Sequence, residues 1–303
     1  MRTRPQLLVL PFCFMTAMVW ASPRHSHGLT IVNLSHVSSD NCEDQLQVSS
    51  DSTPATYAED TQALPNQPLT VRASENGGIR VSDWNQPNYS IKLCKAAVGA
   101  DASELLKSIS LSVTGGNVSV KAPARDFGDL WTTSIIIKAP AGAKLDLSVT
   151  NGGIALYHTN ATTTAHAVNG GIDLEGVHGT VEAEAVNGGI SVDNSSGNVT
   201  ARVENGGLDL KLGKSWEGGK LVASSENGGL SVEVPSNFAS PIEVSASQHT
   251  SMECSAEICK KAERTWDDER RYFRLGSGDP VVKASTENGG VEISDVSPGA
   301  DEI

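Results

Sequence analysis

Four kinds of side chain in this sequence could do chemistry, and the spacing of each decides what that chemistry would be. Cys42, Cys94, Cys254 and Cys259 follow an N-terminal apolar stretch that holds a fifth cysteine, Cys13. In an oxidising compartment an even number of cysteines points to disulfides. Cys254 and Cys259 make the local pair, which leaves Cys42 for Cys94. Zinc is the other use of such thiolates, but their spacing relative to the histidines matches no zinc pattern. His25, Ser26 and His27 form an HSH with His36 farther on, and two histidines one residue apart can share a metal. A chain terminus supplies no fixed third ligand, so no metal site and no cofactor are expected. Carboxylates are abundant, and cutting a polysaccharide needs two of them, or one with a strong base, converging on a single bond. Asp173, Glu175, Glu182, Glu184 and Asp193 instead occupy repeated positions, where acids keep a sheet face soluble. No Ser/His/Asp or Cys/His arrangement stands out, and a calcium-binding GG-x-G-x-D pattern is absent. Trp84, Trp131, Trp216 and Trp266 fall in or near corners and insertions, where an indole could stack on a sugar or on a partner side chain. The competing reading is that they close the ends of a core too narrow to hold them, since tryptophan is usually well buried.

The elements that must position these groups are set by a fixed beat. The words NGGI, NGGI, NGGI and NGGL start at Asn151, Asn169, Asn187 and Asn205, each 18 residues after the last, and NGG recurs at Asn76, Asn227 and Asn288. A constant period of this size marks stacked supersecondary units. Aligned at 18 residues, TTAHAV (163–168), VEAEAV (181–186) and VTARVE (199–204) become three versions of one strand. Their first, third and fifth residues, such as Val181, Ala183 and Ala185, share a face because strand side chains alternate. The strand after each NGG carries larger residues at matching sites: Ile154 and Leu156, Ile172 and Leu174, Ile190 and Val192, Leu208 and Leu210. Small residues in one layer against large ones in the other suit a thin core of two sheets. His166, Glu184 and Arg202 then line up on an outer face, where adjacent opposite charges give a few tenths to ~1 kcal/mol. The Asn-Gly-Gly turn is explained by its tolerance of positive φ. The expected fold is all-β, a β-solenoid of two-sheet coils of about 18 residues. Because Asn-Gly also signals a hairpin, an antiparallel meander is the alternative, but it would leave an apolar face uncovered.

Around the array the chain divides into 1–21, 22–68 and 69–303. MRTRPQLLVLPFCFMTAMVWA has two arginines ahead of an apolar run, then Val19 and Ala21 where signal peptidase prefers small residues. It reads as a cleaved leader, too short to span a bilayer, and no second long apolar run follows it. Removing it leaves 21 basic against 36 acidic residues, a net charge of −15. Such an acidic exported chain is a poor partner for nucleic acid or anionic lipid. Segment 22–68 is polar, with strands visible only at LTIVNL (29–34) and QLQV (45–48). DASELLKSI (101–109) is the one short helix, with Asp101 placed to cap it and Glu104 three residues on. The unit after Leu212 gains four residues around GKSWEGG, and the beat then breaks at a charged insertion, 248–280. That insertion is either a cap sealing the stack or a binding element. Trp216, Trp266, Arg270, Arg271 and Tyr272 are the candidate binding surface.

LTVRASENGGIRVSDW, TNGGIALYHTN, VNGGIDLEGVHGTVEAEAVNGGISV, WEGGKLVASSENGGLSVEVP and GSGDPVVKASTENGGVEIS together resemble the bacterial "putative adhesin" family, an exported β-solenoid likened to a toast rack. The likeness runs over about 69–296 and includes YSIKLCKA with its following helix. It implies a repetitive β scaffold of the cell envelope, and it carries over no catalytic or binding residue. The expected function is a non-enzymatic exported scaffold, periplasmic, cell-surface or secreted, that binds an envelope polymer or surface protein. The alternatives are a polysaccharide-active enzyme on the same fold and an envelope-stress accessory or sensor protein.

Overall fold

The computed structural model describes residues 29–33, 39–50, 54–123 and 130–296. The leader 1–21, the HSH motif and His36 lie outside the described residues. Strands Lys144–Asn151, Thr162–Asn169, Thr180–Asn187 and Asn198–Asn205 pair in parallel, each with the strand 18 residues away in sequence. The short strands Ile154–Tyr157, Ile172–Glu175, Ile190–Asp193 and Leu208–Lys211 do the same in a second sheet. Consecutive strands thus lie in different sheets, one of 12 strands and one of 11, so the chain coils and does not meander. The reason is the one visible in the sequence. Ala165, Ala183 and Ala201 on one side, and Leu174, Val192 and Leu210 on the other, are all buried in a single core. Each buried Leu or Val contributes about 1.5–3 kcal/mol and each buried Ala about 0.8 kcal/mol, and only the two-sheet coil buries both rows.

The Asn-Gly-Gly corner works differently from the expectation of positive φ. None of its seven asparagines has positive φ; each closes a strand or turn and spends its side chain on its neighbours. Asn151 Nδ2 donates to Asn76 Oδ1 at 2.9 Å, Asn169 to Asn151 at 2.9 Å, and Asn187 to Asn169 at 3.1 Å. Asn205 donates to Asn187 at 3.3 Å, Asn227 to Asn205 at 3.1 Å, and Asn288 to Asn227 at 3.0 Å. The seven form one continuous amide ladder. The first glycine is required by close approach of stacked turns. A Cβ at Gly170 would stand 2.0 Å from the Gly152 carbonyl oxygen, and one at Gly188 2.1 Å from that of Gly170. Left-handed backbone sits at the opposite corner, at His158 (φ 50°), Gly176 (φ 61°) and Asn194 (φ 45°). These three follow paired residues of successive coils, so they are one structural column written in three residue types.

Two excursions leave the stack and come back. The coil built from Leu69–Arg72 and Gly77–Asp83 lies directly against the one at 144–157, although 60 residues of chain intervene between Asp83 and Lys144. At the other end, Val282–Thr286 pairs with Leu221–Asn227 on one side and Ile242–Ser247 on the other. Val291–Asp295 is likewise held between Leu230–Val234 and Met252–Cys254. The last coil in sequence therefore fills a slot inside the stack, and the insertion lies outside it as the terminal coil. There Ile242–Ser247 pairs antiparallel with Arg270–Leu275, which pairs with the edge strand Glu263–Trp266.

The N-terminal end is covered more heavily. Thr56–Pro65, a strand not recognised in the polar segment, pairs along Asn88–Val98 and forms the sheet edge. The helix Ala102–Ser108 packs beside both and buries Leu106; Ile109, just past its end, is also buried. Asp101 sits at its N-cap, but its side chain makes no capping bond. A further short helix, Cys42–Gln45, is joined by Cys42 to Cys94 across 5.2 Å between Cα atoms. Together with Leu46, Ala96 and Ile136 this makes a second small core on the outer sheet face. Arg80, 4% exposed, pairs there with Asp40 at 2.8 Å, and Lys138 pairs with the same carboxylate. Partial burial would raise the Asp40 pKa, but Lys138 and Arg80 outweigh it and hold the carboxyl below its ordinary value.

Candidate functional site at the capped end

The insertion's geometry follows from its alternation. Phe273 lies opposite Val244 and is buried with it, so Phe273, Arg271 and Leu275 point to the core side of the sheet. Tyr272, Arg270 and Arg274 point outward. Core-side closure comes from the turn Glu257–Lys261, whose Ile258 is buried with Ala256 and which Cys254 and Cys259 staple at 5.9 Å between Cα atoms. This stapled turn reaches Phe273's cluster but stops short of the hairpin tip, where Trp266 is 77% exposed.

The outward face is a closed ionic network. Arg274 Nε donates to Glu243 Oε2 at 2.6 Å and its guanidinium lies 5.0 Å from the Tyr272 ring centroid. Tyr272 Oη donates to Asp267 Oδ2 at 3.0 Å, and that bond pushes the phenol pKa up. Asp267 also accepts the backbone N–H groups of Glu269 and Arg270, which, ahead of the phenol, hold its carboxyl below the ordinary range. Arg270 pairs with Glu287 and donates to the Thr286 carbonyl at 3.2 Å, tying the hairpin to the inserted coil. Arg270 and Tyr272 thus have structural partners. Arg271 and Trp266 face each other on the other side of the hairpin, directly paired in register.

Trp216 does not join them. The four extra residues around it fold inward, leaving Trp216 6% exposed in the main core, with Nε1 donating to the Gly197 carbonyl at 2.9 Å. Its indole fills space and is closed to a ligand. Trp131 is also buried, while the partly exposed Trp84 donates to the Asn88 carbonyl at 2.7 Å. The candidate surface read from the sequence left out Arg264, Arg274, Glu243 and Asp267. The signal was present, since period-two alternation outward from Phe273 sorts the first two residues to opposite faces once the hairpin register is known.

Elsewhere the chemistry-bearing groups are engaged with one another. His166 Nδ1 stands 3.6 Å from Glu184 Oε2, and Arg202 pairs at 3.0 Å with Glu182, not with the Glu184 directly beside it. Asp193 pairs with Lys211 at 3.7 Å. One corner brings together a histidine, a serine and an aspartate that sequence reading did not connect. His178 Nδ1 and Ser196 Oγ are 2.7 Å apart, and Asp83 Oδ2 accepts the Asn160 backbone N–H at 3.0 Å. Partial burial raises the Asp83 pKa. His178 makes its bond to Ser196 and none to Asp83, so the corner lacks the carboxylate–imidazole bond that orients a general base. Among the described residues no three His, Cys, Asp or Glu side chains gather to hold a metal, and no helix is long and apolar enough to cross a membrane.

Among curated proteins, none matches this chain. Solved structures similar to it include a "putative cell adhesion protein" from Clostridium sporogenes, at 10% identity and TM-score 0.33, covering 80% of this chain and 100% of that one. A "putative adhesin" from Bacteroides fragilis matches at 11% identity and TM-score 0.35, over 79% of this chain and 97% of its own. A "putative lipid binding protein" from Parabacteroides distasonis matches at 10% identity and TM-score 0.31, over 78% and 96%. With the NGG coils, both excursions and the stapled cap falling inside residues 39–294, the stretch matched by the model of the Toastrack DUF4097 family, the chain belongs to that family.

Proposed function

We propose that this protein is an exported, non-enzymatic scaffold that holds a charged cap at the end of a rigid β stack for binding an envelope polymer or a surface protein. The observation that carries this reading is the contrast in exposure. Only Val222 (43%) and Trp266 (77%) are exposed large hydrophobic residues among those described, and Trp266 is at the tip of the cap. Tryptophan is enriched at interaction surfaces relative to the rest of a protein's exterior. The pairing of Glu182, Glu184 and Asp193 with basic side chains supports the same reading, because glycoside cleavage needs two carboxylates free to act on one bond. Export is supported by the leader-like 1–21 and by two joined cysteine pairs, which persist in oxidising compartments. An acidic chain, net −13 overall, gives no support to a nucleic-acid partner.

Incubation of the purified protein with isolated cell-envelope material tests the proposal. Co-sedimentation without release of reducing ends or unsaturated sugars is expected. Release of such products would assign the protein to the polysaccharide-active enzymes. Failure to bind either the polymer fraction or the surface proteins of the envelope would end the scaffold reading.

A further inference from the structure

The two sheets end unevenly at the cap. The 11-stranded sheet stops at Met252–Cys254, whereas the 12-stranded sheet continues past Ile242–Ser247 through two more strands. The core-side face of this overhang holds Phe273, Arg271, Arg264 and Trp266, because Arg264 lies opposite Phe273 and Trp266 opposite Arg271. Phe273 is covered, and the other three are exposed. Among the described residues neither Arg264 nor Arg271 takes part in an ion pair, while the neighbouring cations are used: Lys260 on Glu257, Arg270 on Glu287 and Arg274 on Glu243. Directly opposed residues stand about 5 Å apart at Cα, so two uncompensated guanidiniums flank one open indole on a single face.

Resting on the polymer-binding reading above, we propose that Arg264, Trp266 and Arg271 form a platform for an extended acidic polysaccharide. The indole stacks on a sugar ring, and the guanidiniums take carboxylates of that ring and the next, the planar fork matching a carboxylate in two bonds. Charge complementarity identifies the ligand's sign, and openness identifies its form. With 77% of Trp266 in solvent, the surface would bury little of a small molecule, whereas a chain gains by laying successive rings along it. The protein's net charge of −13 does not forbid this, because beyond about 8–10 Å salt screens the rest of the molecule. That same charge disfavours an anionic bilayer, which would bring the acidic sheet faces within range, while a single polymer strand reaches the overhang alone. An acidic peptide added to the four-residue edge Glu263–Trp266 would bond backbone to backbone and leave the platform unused. Asp268 and Glu269 at the hairpin tip are exposed and set one limit of the platform, confining an anion to the Arg264–Arg271 side.

Titration of the full-length mature protein with polygalacturonate, followed by calorimetry and by acrylamide quenching of tryptophan fluorescence, tests this. Neutral dextran, polyglutamate and isolated envelope polymer serve as parallel probes. Expected are binding that weakens with salt, protection of the quenchable indole, and affinity lower by about tenfold or more in Trp266→Ala and in Arg264→Gln/Arg271→Gln. Asp268→Asn/Glu269→Gln should bind more tightly. Unchanged melting temperature in each variant shows the hairpin still folded, with Phe273 holding it. Polygalacturonate affinity that is unaltered in these variants would overturn the platform. So would binding of dextran or envelope polymer with none of polygalacturonate; the envelope-binding reading stands wherever the envelope polymer itself binds. Tighter binding of polyglutamate would make it a peptide site and overturn the proposal. Binding of none of the probes, envelope polymer included, would remove both the platform and the polymer reading on which it rests.

Discussion

The coils at 151–212 and the cap at 235–281 are built from the same kind of strand, yet they keep their side chains for different uses. At the corners of the array each residue sees its own counterpart one coil away: asparagine bonds asparagine and glycine packs on glycine. In the cap Arg270 and Arg274 find partners of another type on another element, Glu287 and Glu243. Repetition satisfies the asparagine ladder and the glycine corners within the stack. A terminal unit has no next coil, so it must close one side with a stapled turn and leaves the remainder, Trp266 and two arginines, facing solvent.

This contrast can be broken at its supports. The largest effect is expected from the cover at the far end. Cys42→Ala/Cys94→Ala opens a loop with sequence separation 52 and should cost about 4 kcal/mol, against about 2 kcal/mol for Cys254→Ala/Cys259→Ala with separation 5. Denaturant midpoints under oxidising conditions measure both, and equal losses would mean that local strain, not loop closure, controls the two ends. Next, Gly188→Ala puts a Cβ 2.1 Å from the Gly170 oxygen and should destabilise by about 3 kcal/mol. Gly278→Ala in the returning loop meets open space at φ 97° and should cost about 1 kcal/mol. A reversal of that order would show backbone conformation, not coil spacing, to be the reason for glycine in the array.

Loss of the ladder comes third. Asn227→Ala removes the rungs to Asn205 and to the returning Asn288, and about 1–2 kcal/mol should go with them. Hydrogen exchange should show the loss concentrated in 282–295 if the ladder registers the inserted coil. Acid stability gives a smaller effect. The folded Asp40 pKa lies below its ordinary value, so its contribution is present above the unfolded pKa and is lost as pH falls through the folded one. Asp40→Asn should flatten the acid limb of the melting profile below about pH 4 and lower stability at neutral pH. The smallest effect is expected at the exposed outer ladder, where His166→Ala should change stability by no more than ~0.5 kcal/mol.

Much of the array was legible because its evidence is periodic: 18-residue spacing, alternation of Ala with acids, and Ile or Leu after each NGG. Thr56–Pro65 was not, because only Leu64 of its ten residues is buried and an edge strand need not alternate strongly. Trp216 and Trp266 look alike in sequence, each an indole in an irregular charged stretch. One is folded over Gly197 and the other left in water, a difference made by chain elements far away in sequence.

The sequence by itself determined the coil, since a strand with small residues and a strand with large ones have one economical way to cover each other. It also pointed to both disulfide pairs, Cys254 with Cys259 as the local one, and the structure joins them so. Only the tertiary structure decided that NGG is a ladder with close-packed glycines, because the backbone of one turn meets that of the next only when the coils stack. The order of the coils was decided there as well. The last unit docks on Asn227 and pushes the insertion to the outside, since register with the ladder outranks position in the chain.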